Sequence, residues 1–270
     1  MSQPLEHAGH ALPARFSGVS ALRFALLIAA LALIIAAISD VAPAPERLIE
    51  GGPRMSRLIG RMLPPETELD FLLRMAGRLL ETIEIALAGT VIGVLLSLPT
   101  AWLAARGLGG VPLVNLAAKA FISFLRTVPD LVWALIFIAS VGLGAIAGTM
   151  TIVVDTIGFC GRFFAEAFED ADKAPQQALS AIGATRVSIM AGAVLPAVMP
   201  SLINTSLFAF EKAVRSSVVL GLVGAGGIGQ ELKVAFDLFQ YRSASTIIIA
   251  IFIFVFAMEF VTDRLRTRFS

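Results

Sequence analysis

The segment GAGGIG, Gly224 to Gly229, carries the glycine spacing of a dinucleotide-binding fingerprint and follows the strand-like run SVVLGLV. In that fingerprint the glycines bring backbone amides against a pyrophosphate, and an acidic residue about twenty positions later holds the ribose. A parallel βαβ unit must surround the motif. Here the apolar run from Ala244 to Phe260 fills the positions about twenty residues on where the acid would stand, and no βαβ unit is evident, so the nucleotide reading fails. Five glycines between Gly221 and Gly229 read instead as a compact loop or a close-packed break between helices, in backbone geometry that other residues resist.

Isolated charges in apolar sequence are the next candidates. Asp155 lies in the middle of an apolar stretch, where a charged residue costs about 2.5–3.5 kcal/mol to insert at mid-bilayer. It must therefore face other helices or a cavity, either bonded to a partner such as Arg162 or a hydroxyl, or placed on a polar pathway. Glu211 and Arg215 stand four apart and pair on a continuous helix. Arg215, backed by Ser216 and Ser217, alternatively offers several donors to an anion. Arg126, just before Pro129, either anchors a membrane boundary or lies near such a pathway.

Catalytic and metal chemistry find no support. The histidines are His7 and His10, in a polar tail, and the lone cysteine is Cys160. No His/Cys ligand cluster, no nucleophile–base–orienter set and no Walker A phosphate loop is present. No catalytic, cofactor or metal site is therefore expected, and any ATP hydrolysis belongs to another chain. The net charge of +1 gives no basic field for nucleic acid.

The elements that must position these residues are membrane spans. The 270-residue chain is 57% hydrophobic and only 15% charged, with a mean hydropathy of +0.85; soluble domains carry about 25% charged residues. Lipid cannot satisfy backbone polar groups, so apolar runs of about twenty residues must be helices. After a tail over residues 1–19, a transmembrane helical domain over 20–270 is expected, with about six spans. They cover Ser20 to Ile38, Leu79 to Leu98 (ending near Pro99), Pro129 to Gly148, Met150 to Ala167, Ala197 to Phe210 and Ala244 to Phe260. A charged stretch, Asp40 to Arg74, separates the first two. The pairs Gly89/Gly93 and Gly144/Gly148 permit close helix approach.

With the N-terminus inside, residues 100–127, 168–196 and the C-terminus are cytoplasmic. The first carries Arg106, Lys119 and Arg126 with no acid, and the last carries Arg264, Arg266 and Arg268 against Asp263, as the positive-inside bias requires. Arg47, Arg54, Arg57 and Arg61, in the first external stretch, run against it.

One polar piece between spans stands out: QQALSAIGATRVSIMAGAVLP, Gln176 to Pro196. Ala178, Leu179, Ile182, Ile189 and Met190 recur at spacings that place them near one helical face, with a break at Pro175. Gly183 suits a bend between two short helices or a close approach. The stretch resembles the coupling loop of ATP-binding-cassette importer permeases: Glu-Ala-Ala, three residues, Gly, nine residues, Ile, one residue, Leu-Pro. Gln177-Ala178-Leu179 stands in the first position, Gly183 in the glycine position and Leu195-Pro196 in the last, with Ala193 in place of Ile. Gln177 removes the acid that the family uses at its ATPase interface.

Arg126 to Gly229 is similar more closely to the phosphonate-uptake permeases of this class, through RTVPDLVWALIFIASVGLG, FAEAFED and FEKAVRSSVVLGLVGAGGIG. The resemblance implies the all-α fold of type I importer permeases in a bacterial inner membrane, with both termini cytoplasmic. It implies a second copy of the chain, a cytoplasmic ATPase pair that uses the ATP, and an extracytoplasmic phosphonate-binding protein. The coupling loop is expected at about 169–196. Gly224, Gly226, Gly227 and Gly229 then fall near the extracytoplasmic end, either as a gate or receptor-facing element or as a structural loop. Import of phosphate, phosphite or another small oxyanion is the alternative within transport; a membrane scaffold without transport is the alternative outside it.

Overall fold

A computed structural model describes residues 21–41, 45–108 and 111–269; the histidine-bearing tail lies outside them. The chain divides into two compact units, up to Arg57 and from Leu58 onward. In the first, α1 (Ala21–Val41) is an unbroken apolar helix. Its Leu22–Asp40 window has a mean hydropathy of 2.5, and at 1.5 Å per residue it reaches across a hydrocarbon core of about 30 Å. The charged stretch that follows is largely helical rather than irregular: α2 (Pro45–Met62) carries mixed charges, including an Arg54–Glu50 pair at 3.2 Å.

The larger unit is a helical bundle built around α3 (Leu69–Ala104) and the helix over Ala145–Asp170. Pro99 does not end α3 as the sequence suggested; it lies inside a 36-residue helix. The proline removes one donor, and around it Ser97 donates to the Gly93 carbonyl at 2.6 Å and Thr100 to those of Leu96 and Ser97 at 3.1 and 3.0 Å. The carbonyl that loses its amide donor is that of Leu95, between these; the helix gives up that one bond and continues.

Residues 100–127 are likewise not a plain loop. α4 (Pro112–Thr127) turns back along the bundle and meets α5 (Asp130–Val141) at a bend of 88°. The cause is Pro129, which disfavours helical geometry at the residue before it. The expected single span from Pro129 to Gly148 is thus a 12-residue helix ending at Gly142, and α4 with α5 forms one broken span. α6 (Ala145–Asp170) starts before the expected Met150. Among the described residues, five helices are long and apolar enough to span a membrane, and the broken pair makes six.

Past α6 come α7 (Lys173–Ala181), α8 (Arg186–Ile189) and a π turn at Met190–Val194. α9 (Leu195–Gly221) follows without interruption, well past the expected end at Phe210. Pro196 cannot donate to the carbonyl four residues back, at Gly192, and its ring would crowd it. The wider π turn around Gly192 relieves that conflict. α10 (Gly227–Asp237) and α11 (Tyr241–Phe269) complete the bundle.

Glycines set the α3–α6 seam. A Cβ on Gly89 would stand 2.6 Å from Ile152, and one on Gly93 2.5 Å from Thr156. Gly148 behaves similarly, its added Cβ meeting the Ala225 carbonyl at 2.6 Å. Gly144 does not pair with it as a helix-packing residue; with φ at +126° it forms the α5–α6 turn. Gly93→Ala is expected to destabilise the purified chain by about 1–3 kcal/mol, the usual range for overpacking. Gly77→Ala, in the same helix with nothing within 4 Å, is expected to be neutral or stabilising by up to about 1 kcal/mol. Denaturant titration in detergent checks both, and equal losses would contradict the seam.

Candidate functional site

The segment between α6 and α9 is a helical hairpin with a cap at each start. Asp172 accepts from the Ala174 amide at 3.0 Å and opens α7, and Thr185 accepts from the Ser188 amide at 3.3 Å and opens α8. Pro175 sits in the first turn of α7 rather than breaking it; the break is at Ala171–Asp172. Between the helices Gly183 takes φ +82°, and the Gly183 and Ala184 amides close the turn onto the Ser180 and Leu179 carbonyls at 3.0 Å each.

That turn breaks the expected shared face. Leu179, Ile189 and Met190 are half-buried, but Ala178 is exposed and Ile182 is swung outward at 80% exposure. With Val187, 61% exposed, Ile182 gives the hairpin an apolar tip. Gln177 is exposed and lines a cavity of about 340 Å³ with Arg106, Glu169, Lys173 and Arg186. Leu195 and Pro196 form the first turn of α9, so the end of the motif is already helix.

About midway along α6 lies an ionic cluster. Asp155 is paired with Lys212 of α9, whose Nζ donates to both carboxylate oxygens at 2.7 and 2.9 Å. Their side chains are 17% and 34% exposed. The ammonium also stands 5.4 Å from the centroid of the Phe159 ring, a cation–π distance. Asp130, first residue of α5, reaches Asp155 as well and accepts from Ser216 at 3.3 Å. The expected partner Arg162 is elsewhere, paired with Glu166 on its own helix at 2.8 Å.

Glu211 is held on both sides, by Arg215 at 2.8 Å and by Arg266 of α11 at 2.6 Å. The pairing expected for Arg215 is therefore present, and its hydroxyl neighbour Ser216 bonds Asp130 rather than standing beside it. Arg126 lies in the last turn of α4, its stem beside Gly158, where an added Cβ would meet Cγ at 2.9 Å. Sequence reading missed Lys212, Asp130 and Arg266. For Lys212 a signal was available: a lysine two residues past the assumed end of a span, in helix-forming sequence that continues it.

The glycine loop lies at the other end of α6 from the hairpin. A Cβ on Gly226 would stand 2.8 Å from Glu81 Oε1, one on Gly227 2.6 Å from Thr82 Oγ1, and one on Gly229 would collide with the Val218 carbonyl. Gly224, Gly226 and Gly227 have φ of +99°, +87° and +72°. The Ile228 amide donates to Thr82 Oγ1 at 2.9 Å, and the Gly144 amide to the Gly224 carbonyl at 2.9 Å. Beside it Arg78 bridges Glu81 and Glu231 at 2.8 and 2.9 Å, tying α3 to α10. The loop is a close-packed joint.

Residues 93–270 match the sequence profile of the family described as binding-protein-dependent transport system inner membrane component. The phosphite transport system permease protein PtxC of Stutzerimonas stutzeri is 36% identical over 223 residues, 83% of this chain and 80% of that one. The phosphate-import permease protein PhnE of Mycolicibacterium smegmatis is 37% identical over 211 residues, 77% of this chain and 39% of that one. The fold matches the MetNI methionine ABC transporter in an inward-facing conformation with a TM-score of 0.65 at 21% identity, over 76% of this chain and 100% of that one.

Proposed function

Because this chain belongs to the family of binding-protein-dependent transport system inner membrane components, we propose that it is the permease of an ATP-driven importer for a small phosphorus oxyanion. The chain is a polytopic inner-membrane transport component and not an enzyme. A second copy of the chain, a cytoplasmic ATPase pair and an extracytoplasmic binding protein complete the proposed machine. The carrying observation is the α7–α8 hairpin, exposed and apolar at its tip, running through the π turn directly into α9.

The hairpin is attached at both ends to helices of the ionic cluster. α6 carries Asp155 and α9 carries Lys212. An ATPase that grips Ile182, Val187 and the exposed face of Gln177 and Ala178 pulls on both helices together. Relative movement of α6 and α9 then stretches the Asp155–Lys212 pair and the Ser216–Asp130 bond. The break between α4 and α5 ends beside them and gives the bundle a joint at the same depth. A pathway that opens and closes this way needs only weak contacts with its cargo, since release must follow capture.

The resemblance of Arg126 to Gly229 favours phosphonates, whereas the two relatives described above, which match most of this chain, are permeases for phosphite and phosphate. All three are tetrahedral phosphorus oxyanions, and phosphite heads the proposal. Proteoliposomes holding this chain with its cognate ATPase and binding protein test it, by uptake of labelled phosphite against phosphate and methylphosphonate. ATP-dependent accumulation that excess phosphite suppresses best is expected. Best suppression by methylphosphonate would move the substrate within the class, and absence of ATP-dependent uptake by an assembled complex would overturn the reading.

A further inference from the structure

A second polar feature lies between α4 and α6, below the ionic cluster and near the α7–α8 hairpin. Lys119, Ser123 and Arg126 are spaced four and three apart on α4, and Arg162, Glu166 and Glu169 are spaced the same way on α6. Each trio therefore forms a stripe on one helical face. The stripes line a common cavity of about 310 Å³, which Arg106 also borders. Four basic side chains against two acidic ones leave it with an excess of two positive charges.

The charges are not spread evenly. At the lower end Glu169 is satisfied twice, by the Arg106 amide and by Lys119 Nζ, each at 2.9 Å. At the upper end Arg162 has only Glu166, at 2.8 Å on its own helix. Arg126 makes no ion pair among the described residues, although its stem is packed against Gly158. Two guanidiniums thus border one cleft in which Glu166 is paired with Arg162 and Glu169 with Lys119, and a hydroxyl, Ser123, lines the same cleft. Such a fork of donors matches the oxygens of a phosphate group. The rest of α4 is oily, with Leu113, Leu116 and Phe124 exposed at 73%, 65% and 57%, as suits a surface along which acyl chains lie.

We propose that this cleft is a binding site for a phosphate group, held by Arg126 and Arg162 with Ser123, that clamps α4 to the cytoplasmic half of α6. Basic pockets between helices on the cytoplasmic side are a recognised way of holding lipid headgroups. The same donors accept either the phosphodiester of an anionic lipid or free phosphate. The site is independent of which oxyanion crosses the membrane, because it reads binding and not transport.

The test uses the purified full chain in detergent. Native mass spectrometry counts bound phosphatidylglycerol against phosphatidylcholine, and titration calorimetry follows inorganic phosphate. Phosphatidylglycerol binding that falls at least tenfold in Arg126→Gln/Arg162→Gln, and that inorganic phosphate does not displace, identifies a lipid source. Inorganic phosphate binding with the same dependence identifies a free source. Unchanged binding of both anions by a folded double variant, or no binding by the parent chain, overturns the proposal. Should the double variant not fold, Ser123→Glu puts a negative charge in the cleft with both arginines kept. It is expected to cause the same loss, and undiminished binding there is equally fatal.

Discussion

Lys212→Met is expected to destabilise the purified chain by about 3–5 kcal/mol, the range found when one partner of a buried ion pair is removed. The loss comes less from the missing attraction than from what is left behind. Asp155 is 17% exposed and receives both of its close hydrogen bonds from Lys212. Without that ammonium it faces Asp130, and the two carboxylates repel each other at a depth where water is scarce. Adding Asp155→Asn to Lys212→Met is therefore expected to recover most of the loss, since neither charge then remains unpaired. Asp155→Asn alone strands Lys212 and should fall between the two, because Lys212 is more open, at 34%, and keeps the Phe159 ring. Denaturant titration of the four chains gives the coupling energy directly. A single-variant loss below about 1 kcal/mol, the worth of a solvated surface pair, would show that water reaches the cluster freely.

The same pair shows what the sequence made legible and what it hid. Hydropathy locates apolar runs, so α1, α3, α6, α9 and α11 each appear as a span at about the right place. It does not locate helix ends, because a membrane helix continues as long as its backbone is bonded, whatever its side chains. α3 passes through Pro99, and α9 runs eleven residues past Phe210. Ending that span early put Lys212 outside the membrane and left Asp155 searching for a partner on its own helix. Proline and glycine were read with mixed success for one reason. Pro129 and Gly142 act on the local backbone and break the chain where they stand. Pro99 lies within a helix that runs on for five more residues despite the one bond it loses. Glycine packing was legible as spacing at Gly89 and Gly93, whereas the contacts of Gly226 with Glu81 and of Gly227 with Thr82 join residues too far apart in sequence for any local pattern to announce.

The bend of the α7–α8 hairpin, where the proposed coupling to an ATPase would act, was legible as a turn, since its glycine position is dictated by backbone geometry. Gly183 holds φ at +82° with nothing within 4 Å of an added Cβ, so a substitution there acts through strain or through a partner and not through this chain's own packing. A side chain in that conformation costs about 1–2 kcal/mol, and asparagine tolerates it better than other residues do. Gly183→Val is expected to leave the unfolding of the membrane bundle within about 1–2 kcal/mol of the parent while lowering ATP-driven uptake at least tenfold. A β-branched residue forces the turn open and moves the Ile182 tip. Gly183→Asn separates the two causes. If only the turn geometry matters, it retains most of the uptake. If the ATPase packs directly on the turn, its added bulk depresses uptake and copurification of the ATPase as strongly as valine does. Full uptake by Gly183→Val in an assembled complex would remove the hairpin from the coupling path. The force on α6 and α9 would then have to enter elsewhere, at the cytoplasmic ends of α3 and α4 around Arg106, Lys119 and Glu169.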